Sequence, residues 1–295
     1  MTHWVAVVNA KAGGSDDPAL DEALEVLRSD GSLDVHRTSD VDDLTKAVEA
    51  SIGGVLAVVG GDGSIHAVVN AADRAGRLDD VEIAIVPLGT GNDFVRTLGL
   101  VADPVEAARQ AVATPARPAD VVRDDTGRIV VNAAHVGIGA EANLRAEPWK
   151  KALGPVGYAI GAIVSDVTGK GFHAGVRVDG VEVELPHRLL QVAVGNGRYV
   201  GGGAPLLPDA DPFDGRLDVA ISWSEPRLRR LAYAWRLRKG RHPMRDDVIY
   251  RKAERVEVAG EPIPVNVDGE VCGEQRRHTW AVEPGRLLLR APAAD

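Results

Sequence analysis

Val55-Leu56-Ala57-Val58-Val59 runs straight into Gly60-Gly61-Asp62-Gly63-Ser64, and Ile65 to Ala75 continues with helical spacing. Five consecutive apolar residues, mostly β-branched, read as a strand buried on both faces, the kind found in parallel sheets. The glycines stop it. The order strand, glycine turn, helix recurs on either side. Upstream, Trp4 to Val8 is a strand ending in Asn9-Ala10-Lys11-Ala12-Gly13-Gly14, and Asp16 to Arg28 sets Leu20, Ala23, Leu24 and Leu27 on one helical face. A weaker strand, Asp34 to Thr38, precedes a helix over Val41 to Ser51. Downstream, the strand Glu82 to Val86 is closed by Pro87-Leu88-Gly89-Thr90-Gly91-Asn92-Asp93-Phe94. Residues 1–120 therefore predict an α/β domain with a parallel sheet and helices on both faces. Its three glycine turns fall at the carboxyl ends of strands, where open sheets hold ligands.

After about Pro118 the texture changes. Short strands at Val121-Val122, Ile129 to Ala134, Gly175 to Val183, Leu189 to Val194, Leu217 to Ile221 and Arg255 to Val258 are punctuated by Gly, Pro and Asp. Residues 121–295 thus predict an antiparallel, β-sandwich-like domain. Helical inserts interrupt it near Pro155 to Val167 and Arg227 to Arg238, and the closing strand Arg286 to Arg290 can join either sheet.

The chain has 295 residues, a net charge of −9 and a single cysteine, Cys272. One cysteine forms no internal disulfide, which suits a reducing cytoplasm. The first residues carry no basic segment or long apolar run of the signal-peptide kind, and no stretch reaches the ~18 apolar residues of a spanning helix. Membrane contact is therefore expected to be peripheral. The acidic balance argues against a nucleic-acid binder; a homodimer is compatible with the sequence. Two basic segments, Trp149-Lys150-Lys151 and Arg227 to Lys239, read either as solvated helix faces or as surfaces for anionic headgroups. His66, His135, His173 and His187 lack paired metal spacing and read as structural.

The glycine loop at Gly60 to Ser64 lies where backbone N–H groups and the positive end of a helix can hold phosphate. Asp62 would repel phosphate there unless a partner neutralises it, either Mg²⁺ or a donor hydroxyl. Asn92 and Asp93 in the second loop can cap the following helix, but that leaves Thr90 and both glycines unexplained. Asp268-Gly269-Glu270 has the form of a hairpin turn and also places two carboxylates together. Phosphoryl transfer needs backbone amides, a cation and one carboxylate near the nucleophile.

In this order the three loops, followed by Gly154-Pro155-Val156-Gly157-Tyr158, Asp209 to Asp218 and Val267-Asp268-Gly269-Glu270, resemble the catalytic region of diacylglycerol and sphingoid-base kinases over nearly the whole chain. The resemblance implies an ATP- and Mg²⁺-dependent lipid kinase acting on a lipid alcohol, diacylglycerol first. It implies an ATP site at Asn9, Ala10, Lys11, Ala12, Gly13, Thr38, Gly60, Gly61, Asp62, Gly63, Ser64, Ile65, His66, Gly89, Thr90 and Asn92. Asp62 would orient phosphate or catalytic Mg²⁺, Asp93 would lie toward the acceptor, and Asp268 with Glu270 would supply the general base. A second, structural Mg²⁺ would use the Asp214 carboxylate and the carbonyls of Asp211 and Arg216. Ala10 stands where proline is usual and Ser64 where threonine is usual. The rival readings are a kinase of NAD or a sugar phosphate, and a nucleotide- or lipid-binding protein without turnover.

Overall fold

The structure, a computed structural model, describes residues 1–9, 18–137, 171–185, 188–223 and 227–293. The expected loop residues Ala10 to Gly13, the element near Pro155 to Val167, the Trp149-Lys150-Lys151 segment and His187 lie outside them. The chain divides into two compact units, Met1–Val121 with Pro284–Asp295, and Val122–Glu283.

In the first unit β1 (Thr2–Asn9), β2 (Gly31–Thr38), β3 (Val55–Gly60) and β4 (Glu82–Pro87) alternate with α1 (Pro18–Asp30), α2 (Val41–Ala50) and α3 (Asp62–Arg74). The strands are parallel in the order β4-β3-β1-β2. The connection from β1 runs to β2 on one side and that from β3 runs to β4 on the other, so the carboxyl ends of β1 and β3 flank a topological switch point. The sequence places two of its glycine turns at those ends. On one face Trp4, Ala6, Val8, Val55, Ala57 and Val59 pack with Leu20, Ala23, Leu24 and Leu27 of α1. Val5, Val7, Leu56 and Val58 alternate to the other side and are equally buried.

Several boundaries differ from the sequence reading. The helix expected from Ile65 begins at Asp62. Gly61 in extended conformation is its N-cap, and its carbonyl accepts N–H bonds from Ser64 (2.9 Å) and Ile65 (3.2 Å), so the glycine loop is itself the first helical turn. The helix expected after the second glycine loop is short, α4 (Asp93–Thr97), and a further one, α5 (Pro104–Ala113), was not anticipated. The second has a plain local cause: the Asp103 carboxylate accepts from the amides of Val105 and Glu106, and Pro104 opens the helix.

The second unit is built from β6 (Ile129–Val130), β7 (Ala133–Gly137), β8 (Ala174–Val178), β9 (Val181–Glu182), β10 (Gln191–Gly195), β11 (Leu217–Ser222), β12 (Val248–Ala253), β13 (Arg255–Val267) and the first part of β14 (Glu270–Arg290); β5 (Ala116–Asp124) leads into it. One helix, α6 (Arg227–Leu237), precedes β12. Pairing is antiparallel in the order β12-β11-β10-β7-β13-β14, with β8 on the first half of β13. Strand β13 changes register between Ala259 and Ile263, so its halves serve β8 and β7 separately. The closing strand joins the first unit: Leu288 and Leu289 pair in parallel with Glu82 and Ile83. Among the described residues no helix is long and apolar enough to cross a membrane.

Candidate active site

In the first unit, strand register sets Thr38 beside Asn9 at the ends of β2 and β1, while Gly60 pairs with Pro87 at the ends of β3 and β4. The two described glycine loops are then locked together by Asp62. Its Oδ2 accepts the backbone N–H of Asp93 at 3.0 Å and its Oδ1 that of Phe94 at 3.0 Å. The partner expected to neutralise Asp62 was Mg²⁺ or a hydroxyl; the structure shows a pair of amides at the start of α4. No local pattern announces this, because the donors follow 31 and 32 residues later in sequence.

The glycines explain themselves by proximity. A Cβ on Gly89 would lie 2.6 Å from Gly61 Cα and 2.8 Å from Asn92 Oδ1, and one on Gly91 would lie 2.9 Å from Asp62 Oδ2. Backbone therefore packs on backbone. Asn92 takes the left-handed conformation (φ 49°) and donates from Nδ2 to the Gly89 carbonyl at 2.7 Å, which closes the second loop. Gly63 differs, with nothing within 4 Å of where its Cβ would stand. Since Gly61 provides no side-chain cap, the first amides of α3 keep no partner within the helix.

The remaining expected residues are placed as follows. Thr90 is exposed and Ser64 half-buried, while Ile65 is core. The His66 backbone carbonyl accepts from Asn70 Nδ2 at 3.0 Å. The buried carboxylate of Asp93 accepts from Arg96 Nη1 at 3.0 Å, a partner the sequence reading missed.

In the second unit Val267 pairs with Glu270, so Asp268-Gly269 is a two-residue hairpin turn with positive φ at both positions (48° and 95°). The Asp268 carboxylate accepts three backbone N–H groups, from Val131 (2.8 Å), Asn132 (2.9 Å) and Ala133 (2.9 Å). Consecutive amides wrapped around one anion form a nest. The nest also explains why the strand expected over Ile129 to Ala134 is divided into β6 and β7. Asn266, another missed residue, accepts the Gly269 N–H on Oδ1 at 3.0 Å. Its position two residues before Asp-Gly was the available signal. Glu270 is exposed and emerges directly from this fixed turn.

Residues 3–123 match the diacylglycerol kinase catalytic domain, and residues 132–291 match the YegS C-terminal NAD kinase beta sandwich-like domain. A protein of Chromohalobacter salexigens described as "Probable lipid kinase YegS-like" is 33% identical, over 98% of this chain and 93% of its own. The chain belongs to the YegS-like family of lipid kinases. A Pseudomonas aeruginosa relative with the same description is 31% identical over 98% of this chain and 94% of that one. A crystal structure of a candidate diacylglycerol kinase from Bacillus anthracis aligns with TM-score 0.84 at 26% identity, over 99% of this chain and 95% of that chain.

In this YegS-like chain the Asp214 region holds a cation of its own. Asp214 Oδ1 accepts the Arg216 N–H at 3.0 Å, and Oδ2 is paired with the Lys252 ammonium. Lys252 Nζ also lies 3.2 Å from the Asp209 carbonyl and 3.4 Å from Asp218 Oδ2. Asp211 turns its Oδ1 to the Phe213 N–H at 3.1 Å. Both Asp214 oxygens are engaged within the protein, and the Lys252 ammonium stands beside the residues that the resemblance gave to Mg²⁺. Lys252 is the cross-strand neighbour of Asp218 in the β11–β12 ladder, which only the register reveals. Burial raises the pKa of Asp218, opposed by Tyr250 and Lys252.

Proposed function

We propose that this lipid kinase transfers the γ-phosphoryl group of ATP to a primary lipid alcohol, with diacylglycerol as acceptor and phosphatidate as product. One observation carries the nucleotide part: Asp62 turns its charge to the amides of Asp93 and Phe94, leaving the α3 start unopposed for phosphate. Gly63, with open space at its Cβ position, lets a phosphate approach the backbone. Mg²⁺ in this reading accompanies the nucleotide and neutralises its phosphate charge.

For the base, Asp268 and Glu270 divide the work. Asp268 is occupied by three amides and holds the turn; Glu270 is the exposed carboxylate that the turn presents. Glu270 accepts the hydroxyl proton as the lipid oxygen bonds to the γ-phosphorus and the bond to ADP breaks. The test is labelled Mg-ATP with a panel of diacylglycerol, a sphingoid base and NAD. Label in phosphatidate is the expected result. Label in NAD alone, or in no acceptor, overturns the reading.

A further inference from the structure

We propose that α6 and the turn after it form a docking surface for an anionic phospholipid bilayer. From Arg227 to Arg241 the sequence carries seven basic residues and no acidic one, in a chain whose net charge is −9. Such segregation concentrates positive potential on one element of an otherwise acidic protein.

The helix is fixed by one face and open on the other. Tyr233 and Leu237, four residues apart, are fully buried in a cluster with Leu206, Leu207 and Val248. The Tyr233 hydroxyl donates to Gln191 Oε1 at 3.0 Å. Trp235, between them in sequence, is 58% exposed, and Met244 in the short 3₁₀ turn His242–Met244 is 78% exposed. Among the described residues Trp235 is the one aromatic in the group of large exposed hydrophobics. The Lys239 ammonium lies 4.3 Å from the centre of its ring.

The acidic residues nearby are already paired: Asp247 with Arg245 at 2.5 Å, and Asp246 with Arg229 at 3.4 Å. Arg236, Arg238 and Arg241 are exposed and have no acidic partner among the described residues. An exposed tryptophan with a lysine on its ring, and an exposed methionine, on an element whose arginines lack acidic partners match the headgroup layer of a bilayer, where an indole ring partitions at the boundary and arginines meet lipid phosphates. A nucleic acid would use the cations but would leave Met244 and the outer edge of Trp235 in water. The inference rests on the lipid-substrate reading for its purpose only, since docking itself requires no nucleotide.

The test is flotation of the full chain, without ATP, on vesicles of phosphatidylcholine alone and of phosphatidylcholine with phosphatidylglycerol. The wild type is expected on the anionic vesicles only, with release by salt. Each removed arginine should weaken binding about fivefold, so Arg236→Gln, Arg238→Gln and Arg241→Gln together should weaken it about a hundredfold. Trp235→Ala should weaken it about tenfold. These side chains are exposed, so melting temperatures should stay near wild type, and turnover on lipid dispersed in detergent micelles should be unchanged. Equal flotation of wild type and variants, or wild type that binds neither vesicle, overturns the proposal. So does binding to single-stranded RNA in place of vesicles. Kinase activity on micellar lipid with no flotation would sink the docking surface and leave the proposed reaction standing.

Discussion

Asp62 Oδ2 lies 3.0 Å from the backbone nitrogen of Asp93, a residue 31 positions later in the chain. One carboxylate thus fixes the spacing of the two loops. Asp62→Asn keeps the size but presents an NH₂ group to one of two N–H donors. Stability should fall by about 1–2 kcal/mol and turnover should drop much further, with the fold retained by circular dichroism. Near-normal turnover would remove Asp62 from the site.

Gly89 and Gly63 make a paired test. Gly89→Ala forces a methyl group against Gly61 Cα, so it should cost about 1–3 kcal/mol and raise KM for ATP. Gly63→Ala meets open space in the free protein and should melt at or above the wild-type temperature. It should nevertheless raise KM for ATP, because the methyl group stands where phosphate approaches. Unchanged ATP affinity in Gly63→Ala would exclude the start of α3 as the phosphate site.

The two hairpin carboxylates should separate cleanly. Glu270→Gln should lower kcat by about 10²–10⁴ with the melting temperature preserved. Asp268→Asn leaves the nest of three amides short of acceptors and should cost about 1–3 kcal/mol of stability. Urea unfolding and steady-state kinetics on both variants decide it; a stable, inactive Asp268→Asn with an active Glu270→Gln would reverse the assignment.

Lys252 predicts the response to metal removal. With its ammonium already against Asp214 and Asp218, chelator should leave the wild-type melting temperature unchanged in the absence of nucleotide. Lys252→Met leaves the fully buried Asp218 without its cation and should cost about 1–2 kcal/mol, reduced from a fully buried pair by the partial exposure of Lys252. A clear fall in wild-type melting temperature with chelator would show that a metal is held there after all.

Burial lowers the pKa of His135 and of His242 from 6.5 to about 4. Both rings stay neutral in the folded chain while the unfolded chain takes up their protons. Their contribution is therefore complete above pH 6.5 and is lost as pH falls toward 4, at about 1.4 kcal/mol per pH unit for each ring. Urea titrations at several pH values across this window should show the slope, and His135→Gln should lose part of it. An unaltered slope in that variant would assign the effect elsewhere.

The sequence by itself determined the parallel strands, the loops at their carboxyl ends and the change to antiparallel pairing, because these follow from local features. A run such as Val55 to Val59 can be satisfied only by burial on both sides, and Gly60-Gly61 can only end it. Asp268-Gly269 likewise forces a tight turn through its own backbone preferences. What each acidic side chain touches was decided by the tertiary structure. Asp62 meets amides of the next loop, Asp268 is enclosed by the nest at Val131 to Ala133, and Asp214 meets Lys252 across a strand register. The physical reason is range. Strand, turn and helix preferences are set within a few residues, whereas a carboxylate finds its partner through chain segments brought close only by folding, and composition cannot distinguish an amide, an ammonium and a metal ion as that partner.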